Sequence, residues 1–307
     1  MREKWKDPEL LSDEIKELFL SSDHNIINIE GPLVDENAER AKAKETRLMH
    51  TINPDAVSLF KDIKADIWNL CNNHIMDASA YGLEQSLREA KRCNCSTIGV
   101  GMDLDEAKRP VILNEAGGIG MFAVGYQRAC RKADKNTPGC LSWSDLDSIR
   151  EVIDSIKKCC RWCIIVAHAG EEFTSLPSPY TRERYMQFLD MGADIIVAHH
   201  PHVPMNYELI DDKAIFYSLG NFIFDTDYQR AQFNTEKGII LQLTLDETAF
   251  HFTAHGIKID RETDHVAIDR LPDIFTDVPQ DEYEKLAPLA AKMFIAATKR
   301  QQLYLYP

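Results

Sequence analysis

Residues 195–225 read IIVAHHPHVPMNYELIDDKAIFYSLGNFIFD, and the front of this stretch decides the fold. Ile195, Ile196, Val197 and Ala198 have the length and branching of a buried strand. The strand passes straight into His199, His200, Pro201 and His202. A strand that ends in imidazoles delivers them to one edge of a sheet, and in open α/β sheets the ligand crevice lies outside the carboxyl ends of the strands. Pro201 restricts His200 to extended backbone, which predicts His200 and His202 aimed in nearly parallel directions, as two ligands of one metal centre would be. One histidine at a strand end is more often structural than functional, but a cluster of three is harder to assign to packing.

The same punctuation recurs upstream. A strand over Asn25–Ile29 ends at Glu30 and is stopped by Gly31-Pro32. A strand over Asp66–Cys71 leads into Asn72, Asn73, His74 and Asp77, where a neutral amide beside an imidazole offers a carbonyl ligand and a proton carrier. Asp77 also suits the N-cap of the helix that runs on to about Arg92. A strand over Trp162–Ala167 delivers His168, Gly170, Glu171 and Glu172. Between these lie helices over residues 8–21, over 54–64 with Asn53 as cap, over Ser144–Cys159 and over Pro179–Met191. A strand over Thr97–Gly101 and a hairpin over Val111–Val124, turning at Gly117-Gly118, complete the alternation. Residues 34–53 are charged and without steady period, which predicts a loop with Lys42, Lys44 and Arg47 on a solvated face. Beyond Asp225, Gly238–Leu245 and Ala249–Ile259 alternate as antiparallel strands do, and Asp281–Arg300 reads as an amphipathic helix. Strands that each feed polar residues to one rim, separated by helices, predict an α/β fold in a single domain over residues 1–307.

Composition narrows the function. The 307 residues are 44% hydrophobic, as in ordinary globular proteins, and no Gly/Ser- or Pro-rich linker divides them. A formal charge of −14 argues against nucleic acid or an anionic membrane as partner, because such binding needs cationic residues to neutralise phosphates. No apolar run approaches the roughly 18 residues needed to cross a bilayer, so no membrane insertion is expected of the chain as given. The eight cysteines include Cys93-x-Cys95 and Cys159-Cys160-x-x-Cys163, without a second pair at zinc-site spacing. Reduced structural thiols and a cytoplasmic location are therefore expected, or an extracytoplasmic one if the natural N-terminus is longer. Of the ten histidines, His24, His50, His251, His255 and His265 sit in polar or alternating surroundings that predict solvated or structural roles.

Taken together, five motifs resemble the CapA family of poly-γ-glutamate capsule synthesis proteins, whose domain is similar to the metallophosphatase (calcineurin-like) αββα sandwich. They are Asn28-Ile29-Glu30-Gly31-Pro32-Leu33, Asn72-Asn73-His74-Ile75-x-Asp77, His168-x-Gly170-x-Glu172-Phe173 with Pro177, Gly192-Ala193-Asp194 through His199-His200-Pro201-His202, and Tyr217-Ser218-Leu219-Gly220-Asn221-Phe222-x-Phe224-Asp225. They fall in the family's order over residues 25–225. The resemblance implies a metal or catalytic cleft at the carboxyl-terminal rim of the strands. It implies Glu30, Asn73, His168, His199, His200 and His202 as the metal set, His74 as the proton carrier oriented by Asp77, and Glu172, Asn221 and Asp225 lining the cleft. Two departures stand out. Ala198 replaces a family glycine at a tight turn, and the opening MREKWKDPELLSDEIKE shows no strand ending in Gly-Asp, whose aspartate resembles a further ligand.

The resemblance implies a metal-dependent hydrolase or transferase acting on an acidic polymer or small anionic substrate, through an amide or phosphoester bond, among capsule-synthesis partners. A non-catalytic accessory protein of polymer assembly or export and a metal-independent acid–base enzyme using His74 are the alternatives. With one carboxylate fewer, at most one divalent metal is expected to bind tightly, and manganese, zinc and iron suit the mixed donors about equally.

Overall fold

The computed structural model describes residues 4–35, 50–126 and 130–305. Most of the expected loop over 34–53, with Lys42, Lys44 and Arg47, lies outside the described residues.

In chain order the strands are β1 (Ile26–Asn28), β2 (Ile67–Asn69), β3 (Ser96–Ile98), β4 (Val100–Gly101), β5 (Val111–Leu113), β6 (Ile119–Gly125) and β7 (Gly139–Cys140). They continue with β8 (Trp162–His168), β9 (Ile195–His199), β10 (Tyr207–Ile210), β11 (Lys213–Phe216), β12 (Lys237–Leu245), β13 (Phe250–Ile259) and β14 (Val266–Asp269). Among the described residues the α-helices are α1 (Asp13–Leu20), α2 (Val57–Asp62), α3 (Ser79–Arg92), α4 (Leu104–Ala107), α5 (Leu146–Lys157), α6 (Pro179–Asp190), α7 (Asp227–Arg230) and α8 (Gln280–Leu305).

The largest sheet has the order β10-β11-β9-β8-β6-β5, with β11, β9, β8 and β6 parallel and an antiparallel strand at each edge. Its central strands β6, β8 and β9 are apolar up to the histidines that end β8 and β9, as parallel strands covered on both faces must be. One face, with Phe122, Ile165, Ile196 and Ile215, packs on α5 and α6 through Ile149, Ile153, Tyr185 and Phe188. The other face, with Met121, Ile164, Val166 and Ile195, shares a second core with β1–β3 and with Ile239 and Ile257 of β12 and β13. Helix caps follow the sequence. Ser12 accepts from Ile15, Asn53 from Asp55, Asp145 from Ser148 and Ser178 from Thr181, each taking a backbone N–H that the first turn leaves unpaired.

Three smaller sheets accompany the six-stranded one among the described residues, one of them the short antiparallel pair β4-β7. β1-β2-β3 is all parallel, and β12-β13-β14 is antiparallel, as the alternating pattern after Asp225 predicts. The hairpin at Gly117-Gly118 joins β5 to β6. The strand expected over Thr97–Gly101 is broken into β3 and β4 because Gly99 takes φ +78° between them, where a Cβ would lie 2.6 Å from both Cys71 and Ala123. Ala198, expected at a turn, lies inside β9 opposite Ala167 of β8, fully buried. Its extra methyl therefore meets no turn constraint. The parallel strands of both sheets end on one side, and that side carries the polar clusters.

Candidate metal centre

Glu30 stands two residues past β1, held there because the Ile29 N–H still donates to Asn69 O of β2 at 3.0 Å. Gly31 follows at φ +133°, and a Cβ there would come within 2.4 Å of the His50 carbonyl oxygen, so the turn requires glycine and brings the backbone of His50 to the site. Asn72 ties the next loop down by donating from its amide to Ile29 O at 2.7 Å and accepting from His74 N at 3.1 Å. That leaves Asn73 Oδ1 2.8 Å from His168 Nε2, at the end of β8.

Asp77 is not a helix cap, since the N-cap of α3 is Ala78 and makes no side-chain hydrogen bond. Its Oδ2 instead lies 2.8 Å from His74 Nδ1 and accepts the His50 N–H at 2.8 Å. Burial pushes the His74 pKa down, but the Asp77 hydrogen bond and the charges of Glu30, Asp77 and Glu172 outweigh it, and the net shift is upward. His50, expected to be solvated or structural, packs its ring 4.0 Å from that of His74 and stacks on Phe224 at 5.4 Å. Burial and the neighbouring His74 lower its pKa.

The histidine cluster departs from extended geometry. His200 takes φ +102° and His202 φ +61°, so the chain turns through the left-handed region rather than running on from β9. Their rings are 6.2 Å apart and inclined by 51°, not parallel as Pro201 suggested. The preference that proline imposes on its predecessor yields here to the packing of the rim. His202 Nδ1 lies 2.9 Å from Asn221 Oδ1, whose amide donates to Thr235 O at 2.9 Å. With Nδ1–H donating, the Nε2 lone pair of His202 is free to accept a cation. Phe173 and Phe224 both stack on the His202 ring.

Donor atoms converge in two groups, Glu30 with His168 and His200, and Glu172 with His200 and His202, each within 4.8 Å. Glu30 Oε1 lies 3.8 Å from His168 Nε2 and 3.7 Å from His202 Nε2. It is buried without a hydrogen-bond partner, as are Nδ1 of His168 and of His200. Burial, reinforced by the neighbouring histidines, holds His168 well below the ordinary imidazole pKa, and burial lowers His200 as well. Buried imidazoles around an unpaired buried carboxylate oxygen are a donor set that fits a divalent cation.

The chain matches the family model described as Bacterial capsule synthesis protein PGA_cap over residues 2–226. This chain belongs to the bacterial capsule synthesis protein family. It is similar to the PGA biosynthesis protein CapA of Bacillus subtilis (strain 168), 32% identical over 221 residues that make up 71% of this chain and 57% of that protein. It is also similar to the capsule biosynthesis protein CapA of Bacillus anthracis, at 29% over 218 residues, 69% of this chain and 53% of that protein. The chain thus spans little more than half the length of these relatives. Among solved structures, a hypothetical protein from Thermus thermophilus is similar at a TM-score of 0.47 and 12% identity, covering 80% of this chain and 91% of that one.

In this family member, Glu30, Asn73, His74, Asp77, His168, Glu172, His200 and His202 come together. His199 lines the same cavity but stands outside both donor groups, and burial pushes its pKa down to about 4. Asn221 lies at the cleft with its amide committed to His202 and Thr235, which makes it an orienting residue rather than a substrate contact. Asp225 does not line the cleft. Its carboxylate is buried against Arg230 at 2.7 Å and Arg261 at 3.0 Å. Sequence reasoning missed His50, the second donor group containing Glu172, and the aromatic pair on His202; Phe173 and Phe224, inside the quoted motifs, were the signals available. It also missed three buried thiols behind the site, where hydrogen bonds from Cys130 and Cys71 pull the Cys140 thiol down to about 5 and its sulfur lies 3.7 Å from Asn72 O.

Proposed function

We propose that this chain is a metal-dependent hydrolase or transferase of poly-γ-glutamate capsule synthesis, acting on an amide or phosphoester bond of an acidic polymer or small anionic substrate. The observation that carries the reading is Glu30 Oε1, buried and unpartnered between the Nε2 atoms of His168 and His202. An unpaired buried carboxylate costs several kcal/mol, and a cation offsets that cost. The similarity to the two Bacillus CapA proteins supports the capsule context.

Glu30, Asn73, His168 and His200 or His202 would hold the metal, with Glu172 in the neighbouring donor group. A divalent cation there supplies Lewis acidity toward a carbonyl or phosphoryl oxygen. His74, kept protonated toward neutral pH by Asp77, donates a proton to the leaving group. Asp77 and His50 hold that ring in place, and Asn221 fixes the tautomer of His202. The two donor groups share His200, so their five residues divide into three and two if two cations bind. One tight site follows.

The test is elemental analysis of the full chain after loading with manganese, zinc or iron, paired with assays for cleavage of a γ-glutamyl peptide and of a phosphomonoester. About one metal per chain, lost with turnover in Glu30→Gln, is the expected result. Two tightly held metals, or binding indifferent to Glu30→Gln, would sink it. The sharing of His200 also favours a second reading, a non-catalytic accessory protein of polymer assembly. Stoichiometric metal without turnover on either substrate class decides for that one.

A further inference from the structure

Behind the loop that carries Asn73 and His74, three thiols meet in the core. Cys71 lies two residues past β2, Cys140 ends β7 and Cys130 follows β6, and all three are buried free thiols. Gly125, at the end of β6, makes room for them. A Cβ there would come within 2.6 Å of Cys130 Sγ and 3.1 Å of Cys71 Sγ. The proposed reaction uses none of the three.

Cys71 and Cys140 are interlocked. Cys71 Sγ lies 3.9 Å from Leu141 O and Cys140 Sγ lies 3.7 Å from Asn72 O, so each thiol reaches the carbonyl just past the other. Crossed contacts of that kind bring the two Cβ–Sγ arms alongside one another, the arrangement a disulfide needs. Cys130 is placed differently. Arg131 O accepts from Cys140 N and Ala133 N donates to Cys140 O, both at 2.8 Å, which pairs Lys132 with Cys140. Cys130 therefore stands two residues further along, roughly 6–7 Å at the rise of a strand. Combined with the spacing between neighbouring strands, that exceeds the usual disulfide span of about 4.4–6.8 Å between Cα atoms. Cys130 acts instead on reactivity. Its hydrogen bond, with one from Cys71, pulls the Cys140 thiol down to about 5, and the thiolate is the form that attacks a peroxide.

We propose that Cys71 and Cys140 form a reversible disulfide that ties the end of β2 to β7 and, on the metal-centre reading above, weakens cation binding by drawing Asn73 back from His168. The oxidant is hydrogen peroxide, which is close to water in size and reaches the thiols through local opening. The Cys140 sulfur takes one peroxide oxygen as the O–O bond breaks, leaving the sulfenic acid and one water. The Cys71 sulfur then attacks that sulfur, the S–O bond breaks, and the departing oxygen takes the Cys71 proton and leaves as a second water. Two electrons pass from the sulfurs to the peroxide. An S–S bond of about 2.05 Å replaces a hydrogen-bonded contact, so Cys71 and the asparagines after it shift towards β7. Asn72, which donates to Ile29 O at 2.7 Å and accepts from His74 N at 3.1 Å, gives way first, because it adjoins Cys71 and its carbonyl loses the Cys140 S–H. Asn73 Oδ1, 2.8 Å from His168 Nε2, moves with it.

The test treats the metal-free full chain with excess hydrogen peroxide, blocks the remaining thiols with N-ethylmaleimide and maps linked peptides by mass spectrometry. Cys159, which is exposed, reports that oxidant was present. The expected result is a Cys71–Cys140 link that dithiothreitol cleaves, that is absent in Cys71→Ala and that forms more slowly in Cys130→Ala. With the link in place, amide exchange at His74 quickens about tenfold or more, and manganese binds about tenfold more weakly in a chelator competition, reduction restoring both. Cys71→Ala should keep its manganese affinity through the same treatment. A link confined to Cys130 and Cys140 would overturn the proposal, as would intact buried thiols once Cys159 is consumed. So would a Cys71–Cys140 link that leaves His74 exchange unchanged, or equal manganese affinity in the two forms. If neither form binds manganese, the metal-centre reading fails on its own, and the link together with His74 exchange still decides this one.

Discussion

The proposed chemistry turns on His74 and its neighbours, and they separate by what holds them. Replacing His74 by Asn keeps a polar group of similar reach beside Asp77 but removes the transferable proton. Metal content should stay near that of the parent while turnover falls ~10²–10⁴-fold, read by parallel elemental analysis and steady-state kinetics; loss of metal with turnover would make His74 a ligand. Protonation also shows in stability. His168, His199 and His200 are neutral in the metal-free fold because burial lowers them, His199 to about 4, whereas in the unfolded chain they titrate near 6.5. Between those values the unfolded chain binds more protons, so their contribution is complete above about pH 6.5 and is lost as pH falls toward 4. His74 acts in the opposite sense, since its raised pKa gives stability that is full below 6.5 and fades as pH rises through its folded value. With His50, whose pKa is also lowered, four depressed groups outweigh one raised group. The urea midpoint of metal-free protein should therefore drop between about pH 7.5 and about 4.5, and a flat profile would contradict buried neutral imidazoles.

Among the elements, what matters is how loops are tied to strand ends. The loop after β11 carries Asn221, which reaches back to His202 and is anchored in turn on Thr235. Asn221→Ala leaves the ring without its partner, and metal affinity should weaken by ~10–100-fold in a competitive chelator titration. An unchanged affinity would show that Phe173 and Phe224 alone hold the ring. A second tie joins α6 to β10, where Arg182 makes a two-armed ion pair with Glu208 at 2.8 Å for each arm. Tyr217 donates to the same carboxylate at 2.9 Å. Arg182→Met strands a carboxylate whose side chain is 1% exposed and should cost about 3–5 kcal/mol in chemical denaturation. Adding Glu208→Gln should recover most of that loss, because the stranded charge goes with it.

For the molecule as a whole, the prediction is one tightly bound divalent cation per chain, with a melting temperature that rises with cation concentration. At a hundredfold excess over Kd the gain is about 2.7 kcal/mol. The layered α/β order was legible because β8 and β9 are unbroken apolar runs that stop abruptly at His168 and His199, and the alternation in β12 and β13 was equally plain. Other parts were not legible, for stated physical reasons. His50 lies in a charged stretch with no period and is brought in by the close approach of Gly31 and by a backbone hydrogen bond to Asp77. The left-handed backbone at His200 and His202 opposes the local rule for a residue before proline, and only the packed rim imposes it. Asp225 looked like a cleft residue because its partner Arg261 is 36 positions away. Gly99 divides a strand because of a contact with β6, which no local pattern encodes.

The twisted backbone under the two histidines bears on any attempt to improve this protein by selection. A non-glycine residue in such a conformation costs of order 1–3 kcal/mol, and glycine relieves most of it. His200→Gly removes a ring that lines the cavity with its Nδ1 unpartnered, and is therefore expected to survive heat better than the parent when metal is absent. His202→Gly loses the Asn221 hydrogen bond and the stacking on Phe173 and Phe224, and is expected to survive less well. A screen that rewards thermal survival alone would enrich variants at His200 and discard a proposed ligand with it. Keeping both histidines in a stabilised lineage requires that metal retention be scored in every round.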